Sequence, residues 1–162
     1  MKITDLIPAE DLRALQLELS ERFGLNADIV DADGKRLFGT TWGNKLCRAI
    51  RDDDKGFGSI CVPAGQMFAQ LMKQGEPFSE ECDAGMMRVA VPVLADGEVV
   101  GSIGGCGVVP FEGEADPFTI GMMSDIEEST ATDMAGKLVP LAEGMVEEIQ
   151  AYIRKRIEEL KG

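Results

Sequence analysis

Two Asp-Gly turns, each set between short apolar segments, constrain the fold of this chain more than any other feature. The first is Asp33-Gly34 and the second is Asp96-Gly97. Turns of this type need positive φ angles and join neighbouring antiparallel strands in tight hairpins. Strands joined so tightly leave no room for a βαβ crossover, and the pattern therefore argues against a doubly wound parallel sheet.

Amphipathic helices are predicted before, between and after the hairpins. Apolar residues recur three or four apart over residues 8–23 and 63–74, and from residue 137 to the end of the chain. This spacing places them on one face of a helix. A shorter helix is expected over 45–51, and the stretch 117–134 is expected to be helical in part. Hairpins with flanking helices predict an α+β domain built on an antiparallel sheet.

Two local features refine this expectation. The glycines of Gly56-Phe57-Gly58 predict a loop ahead of the second long helix, which would place Cys61 at that helix's N-terminus. The helix dipole would favour the Cys61 thiolate there. Pro92 interrupts a predicted strand and has no N–H donor, so it is expected at an edge or a bulge.

The composition excludes several classes of function. The net charge is −13, and a field of this sign repels nucleic acids and acidic membranes. The chain has no histidine, which excludes Ser-His-Asp and Cys-His catalytic sites and leaves only a carboxylate or lysine as general base. No apolar run reaches the ~20 residues of a membrane span, and the N-terminus does not resemble a signal peptide. We expect a cytoplasmic protein.

An ordered set of motifs runs through the first two thirds of the chain. In chain order they are Phe23-Gly24-Leu25, Ile29–Gly34, Cys47-Arg48, Cys61, Cys82-x-x-Gly85 and Asp96–Gly101. Together they resemble the PocR sensory domain, a variant of the PAS-like fold, over about residues 6–109. The turns alone are unspecific, whereas the cysteines in this order are much more specific.

The resemblance implies a sensing module that binds small organic molecules such as diols. Members of the family are usually fused to a histidine kinase or a DNA-binding output domain. These 162 residues contain no such output, so a separate signalling partner is expected. The chain departs from the family at Cys106, where a polar, often Gln-like, residue is common, and this departure casts doubt on the ordinary family ligand.

The four cysteines are the candidate metal ligands, namely Cys47, Cys61, Cys82 and Cys106. Four thiolates suit a closed zinc site or an iron–sulfur cluster, but no Cys-x2-Cys pair is present. The alternative is that they are small buried apolar side chains. We expect the four sulfurs to lie close together, and the dispersed spacing leans towards a cluster or a redox role.

Five further residues are candidate contacts of a small organic ligand. They are Trp42, Met86, Met87, Arg88 and Gly105. The methionines could line an adaptable pocket, the glycine beside Cys106 would let a group approach the backbone, and Trp42 could cover the mouth. Plain core packing is the alternative for Trp42 and the methionines. For Arg88 the expected partner is a protein acid such as Asp83.

The C-terminal segment is expected to act separately from the domain. We assign residues 1–136 to the PAS-like domain and 137–162 to a C-terminal helix that forms a homodimer or passes a signal. Its stripe includes Ile153, Ile157 and Leu160, which we expect to extend beyond the sheet. The alternative is that the stripe packs on the sheet or the N-terminal helix of its own domain, and periodicity alone does not separate the two. The favoured function is a small-ligand, metal or redox sensing module, and the alternative is a thiol- or metal-dependent enzyme.

Overall fold

The computed structural model describes residues 1–162 and contains one four-stranded antiparallel sheet with helices on both faces. The strands are β1 (Asn26–Asp31), β2 (Phe78–Glu81), β3 (Met87–Ala95) and β4 (Glu98–Val108). Their spatial order is β1-β4-β3-β2. The expected α+β class, consistent with a PAS-like domain, is confirmed.

The helices occur in three groups along the chain. In order they are α1 (Ile3–Leu6), α2 (Ala9–Phe23), α3 (Lys45–Asp52), α4 (Asp54–Gly56), α5 (Val62–Met72), α6 (Pro117–Met123), α7 (Glu128–Ala135) and α8 (Met145–Leu160). A π-helical turn, Phe57–Cys61, joins α4 to α5. No helix has both the length and the apolar composition needed to cross a bilayer.

The second hairpin forms as predicted and the first does not. Asp96 and Gly97 both have positive φ, 51° and 81°, and they connect β3 to β4. After the first turn the chain makes only isolated bridges to β1, at Arg36 and Thr41. Gly39, with φ 69°, breaks the extended conformation between these bridges. The first hairpin therefore has only one regular strand, β1.

The loop expected over Gly56–Gly58 is helical instead. Asp53 starts α4 by accepting a hydrogen bond from the Gly56 amide at 2.7 Å, and the backbone continues through the π turn into α5. Cys61 therefore lies inside a continuous helical segment rather than at a helix N-terminus. Pro92 lies in β3 beyond the end of β2, whose last pair is Phe78 with Ala90, so no β2 residue needs its missing donor.

The sheet has two chemically different faces, because successive strand residues point to opposite sides. One face is apolar and packs under α2 and α8. Its fully buried members include Ala27, Ile29, Val89, Val91, Val93 and Ile103. The opposite face carries Asp28, Arg88, Ser102 and Cys106, and it packs against α5.

The C-terminal helix differs from expectation in its start and in its packing. It begins at Met145 because Gly144 takes a left-handed conformation, and the preceding segment is extended, with the Leu141 amide bonded to Val109. Ile153 and Ile157 are 0 % and 4 % exposed within the apolar core. The expectation that they extend beyond the sheet is wrong, because α8 runs across it.

The packing of α8 removes the argument for a dimer zipped through its apolar stripe. Tyr152 and Arg156 both bond to Glu18 of α2, and the final amide, that of Gly162, bonds to Leu6. The apolar face of α8 is therefore occupied by its own chain. A homodimer stays a prediction, but the isoleucines named for it serve the fold.

Replacing Ile153 with alanine should destabilise the fold by about 2–5 kcal/mol, because a fully buried side chain leaves a cavity. The neighbouring exposed residue offers a matched control, and Lys155→Ala should change the free energy of unfolding by less than about 0.5 kcal/mol. Urea unfolding followed by circular dichroism measures both. Unchanged stability of Ile153→Ala with a loss of self-association would instead assign this stripe to a partner.

Candidate functional site

A cavity of about 60 Å³ between α3, the π turn, α5 and the polar face of the sheet brings the four cysteines together. Cys47 comes from α3, Cys61 from the π turn, Cys82 from the turn after β2 and Cys106 from β4. All four are half-buried free thiols. Cysteines that are far apart in sequence thus line one space.

Two asparagines hold the start of α3 against the sheet beside this cavity. Asn44 caps α3 by accepting a hydrogen bond from the Cys47 amide at 2.8 Å, and its own amide donates to Gly107 at 2.7 Å. The Asn26 side chain accepts from the amides of Gly43 and Asn44. Because a Cβ at Gly107 would overlap Asn26, only glycine fits there. This network ties Cys47 to the end of β4 that carries Cys106.

A tight turn positions Cys82. The Gly85 amide donates to the Cys82 carbonyl at 3.0 Å, and the Cys82 amide donates to Met86 at 2.8 Å. Gly85 has φ 81°, and a Cβ there would lie 2.6 Å from the Glu114 carbonyl oxygen. A side chain at Gly85 would therefore displace the turn that directs Cys82 into the cavity.

A buried ion network forms the floor of the site. Arg88 bonds Asp28 with both terminal nitrogens, at 2.6 and 3.2 Å, and Arg36 Nε bonds the same carboxylate at 2.9 Å. Arg88 Nη1 also lies 3.3 Å from Cys106 Sγ. The partner of Arg88 is therefore Asp28 and not Asp83, which is exposed. An acid between the apolar residues of β1 was the signal that could have identified it.

Mutual stabilisation keeps this pair charged. Burial alone would raise the pKa of Asp28, but the charges and hydrogen bonds of Arg88 and Arg36 hold it below its ordinary value. Burial alone would lower the pKa of Arg88, and Asp28 reverses that effect and raises it. Both side chains are therefore ionised at neutral pH.

Burial has the opposite consequence for the thiols. It raises the pKa of Cys47, Cys61 and Cys82 above the ordinary value, with smaller contributions from the neighbouring cysteines to each. At Cys61 the charge of Arg51 offsets only part of this increase. The expected helix-terminus effect at Cys61 is therefore absent, and these three thiols are protonated at neutral pH.

The other candidate residues divide into two groups. Met86, Met87 and Arg88 line the cavity, and Met86 Sδ lies 3.5 Å from Cys47 Sγ. Gly105 faces the other side of the sheet, where its Cβ would lie 2.8 Å from Leu25. Trp42 does not line the cavity, but its ring lies 4.7 Å from the guanidinium of Arg51, which does.

Sequence reasoning missed several lining residues, because nothing local marks them. They include Arg51, Ile60, Ala64, Gly65, Phe68 and Gly107. Four of them belong to helices whose apolar and polar positions look like ordinary packing in the sequence. Only the fold directs them to the same space as the cysteines.

The charge of the site is opposite to that of the whole chain. The only charged side chains in the cavity wall are those of Arg51 and Arg88, and Asp28 and Arg36 lie directly behind them. Three arginines against one carboxylate leave two positive charges in a protein of net charge −13. This excess of positive charge, of which the Arg36 part is exposed to solvent, favours a negatively charged occupant.

The spacing of the thiols limits what they can hold together. No group of three or more Cys, Asp or Glu side chains is arranged to hold a metal ion. A single zinc ion would need each sulfur at about 2.3 Å from it. The four thiols surround a space and do not converge on a single ion position. Thiolates are suitable ligands for a metal centre, but the distances between these thiols do not suit a single ion.

Comparison with known protein families finds a match over most of the chain. The family model described as the sensory domain found in PocR matches residues 5–149. The matched segment contains the four cysteines, the Asp28–Arg88 pair and the first residues of α8. No curated protein and no solved structure matches the chain.

Replacing Asp28 with asparagine should cost about 3–5 kcal/mol of stability at neutral pH, because Arg88 is left charged and buried without its partner. The matched control is Asp83→Asn, which should change stability by less than about 0.5 kcal/mol. Urea unfolding at several pH values measures both variants.

The difference in stability between wild type and Asp28→Asn should depend on pH in a defined way. Because folding lowers the pKa of Asp28, its contribution is complete above the unfolded pKa of an aspartate and is lost as the pH falls through the folded value. The difference between wild type and Asp28→Asn should therefore shrink only in acid. A difference that is constant down to the acid transition would contradict the assignment.

Proposed function

The chain belongs to the PocR sensory domain family, and we propose that it senses a thiol-binding group held in the cysteine-lined cavity. Family membership supports a sensory, ligand-binding role in signalling. The observation that carries the finer proposal is the convergence of four cysteines from four separate segments on one cavity. Neither the helices nor the sheet needs these thiols for its own hydrogen bonding.

The charges of the site support a metal–thiolate group. Four thiolates around one Zn²⁺ carry two net negative charges, and an oxidised two-iron, two-sulfide cluster, whose four core atoms suit a cavity of about 60 Å³, carries the same net charge with its thiolates. Three arginines against Asp28 supply two positive charges around the cavity. The arginines would therefore neutralise the group and favour the thiolate form that coordination needs.

The spacing favours an iron–sulfur cluster over zinc. A cluster holds its cysteines farther apart than a single ion does, because its own iron and sulfide atoms fill the centre. The four thiols line a space, and no three of them are set for one ion. We therefore propose a cluster bound by Cys47, Cys61, Cys82 and Cys106, which would supply redox or iron sensitivity.

The position of the cavity suggests how its state reaches the rest of the domain. It contacts β3 and β4 on their polar face, and α8 packs against β3 on the reverse face. A ligand that binds one arrangement of the cysteine segments better shifts the protein towards it. The proposed output is therefore a change at α8, which a separate partner would detect in a reducing, cytoplasmic setting.

A thiol- or metal-dependent enzyme is the second candidate, and the cavity supports it less well. The wall contains cysteines, arginines, glycines and apolar side chains, with no carboxylate, lysine or hydroxyl group. Thiol chemistry needs a thiolate, and burial keeps three of the thiols protonated. A binding role therefore fits the wall better than general acid–base catalysis.

Protein purified without oxygen should absorb visible light and contain iron and acid-labile sulfide in equal amounts. Any single Cys→Ser substitution in the site should abolish or reduce both, whereas Ser59→Ala, in the same turn as Cys61, should leave them unchanged. Absorbance spectra and metal analysis are the measurements. Colourless protein with bound zinc would replace the cluster with a zinc site, and protein with no metal after reconstitution would rule out both.

Binding of the proposed metal centre to the four cysteines should also stabilise the fold, because the free energy of metal binding adds to the free energy of folding. A chelator should lower the melting temperature of the loaded wild type, and Cys82→Ala should melt close to the chelated protein. Thermal melts with and without chelator compare them. Equal melting temperatures for loaded wild type, chelated wild type and Cys82→Ala would show that the four cysteines hold no stabilising metal.

A further inference from the structure

A second cavity, of about 50 Å³, lies between α5 and the polar face of the sheet. It shares Gly65, Phe68 and Arg88 with the cysteine cavity, so these residues form a common wall. Its remaining lining includes Ser102 from β4 and Met72 from α5, and it contains no cysteine. Its chemistry therefore differs from that of its neighbour.

Ser102 supplies an unused polar group in this cavity. Its side chain is 1 % exposed, and its hydroxyl oxygen has no hydrogen-bond partner in the protein. A buried hydroxyl without a partner costs free energy relative to one that is bonded. Because Ser102 lines the cavity, an occupant with a polar atom could satisfy it.

Arg88 offers further hydrogen-bond donors in the wall of the same cavity. Its bonds to Asp28 and Cys106 use three of its five N–H groups, which leaves two. Asp28 is shared with Arg36, so two guanidinium groups face one carboxylate. Arg36 is exposed to solvent and Asp28 balances the charge of Arg88, so the groups that remain for an occupant are hydrogen-bond donors, which suit a carboxylate because it only accepts hydrogen bonds.

The rest of the cavity is small and apolar. Phe68 and Phe78 stack with ring centroids 6.4 Å apart, and Met72 is fully buried beside them. A water needs roughly 10–15 Å³ of such volume, so the space suits about three to five non-hydrogen atoms. The lining therefore suits a short molecule with one anionic end and one apolar end.

We propose that this second cavity binds a short-chain monocarboxylate. Its carboxylate accepts hydrogen bonds from the Ser102 hydroxyl and Arg88, and its alkyl end contacts Phe68 and Met72. The proposal extends the sensory role to a second ligand and does not depend on what the cysteines hold.

Propionate and its neutral isostere propionamide test the class of ligand. Isothermal titration calorimetry should show that propionate binds the wild type and that propionamide binds about tenfold more weakly or worse, because the amide NH2 group would face the N–H donors of Arg88 where the carboxylate offers only acceptors. Equal affinities, or no propionate binding at millimolar concentrations, would overturn the proposal.

Ser102→Ala tests the position of the site. It should weaken propionate binding about tenfold or more, while it raises the melting temperature of the ligand-free protein because an unpartnered buried hydroxyl is removed. The matched control is Ser79→Ala in β2, which should change neither quantity. Propionate affinity unchanged by Ser102→Ala would place the ligand elsewhere.

Two more variants separate this proposal from the one for the cysteines. Ala69 lines the second cavity and not the cysteine cavity. Ala69→Leu therefore places a larger side chain in the second cavity only, and this variant should not bind propionate. Cys47→Ser should leave propionate binding intact whatever it does to metal content. Loss of propionate binding in Cys47→Ser, with retention in Ala69→Leu, would assign the carboxylate to the cysteine cavity instead.

Discussion

The buried ion pair between Asp28 and Arg88 joins β1 to β3 across the intervening strand β4. In the register of the sheet, Asp28 and Ala90 both pair with Gly104, where a Cβ would overlap the Val89 carbonyl oxygen, so only glycine fits in the strand between them. Each partner is nearly inaccessible to water and depends on the other for its charge. This pair is what allows one face of a buried sheet to be polar, because an unpaired charge there would destabilise the fold.

One face of the sheet contributes mainly to the stability of the fold, and the other carries the candidate site. The apolar face packs against α2 and α8 in a continuous core that includes Ile149, Ile153 and Ile157. The polar face packs against α5 and has thiols, an unpartnered hydroxyl and two small cavities. Functional sites often lower the stability of a fold locally, and here the separate apolar core offsets that loss.

Local chemistry determined which elements sequence reasoning could predict. The helices over Ala9–Phe23 and Val62–Met72 and the turn at Asp96-Gly97 follow from spacing and backbone preference, which act within a few residues. The Asp28–Arg88 pair joins residues 60 apart in sequence, and the packing direction of α8 is a tertiary property. Apolar periodicity shows that a helix has a buried face but not what covers it, which is why the stripe of α8 was assigned to a partner.

In the candidate site, too, local features were predictable from the sequence and tertiary contacts were not. The resemblance identified Cys47, Cys61 and Cys82, and Cys106 departed from its pattern, but the meeting of all four at one cavity depends on the Asn26–Asn44 network, the Gly85 turn and the π-helical turn. Burial keeps Cys47, Cys61 and Cys82 neutral while the arginines around them stay charged, so the cavity wall has an excess of positive charge. Loading it as proposed would convert neutral thiols into thiolates beside Arg51 and Arg88 and remove that excess. The largest electrostatic change would then fall on β3 and β4, and β3 carries α8 on its reverse face.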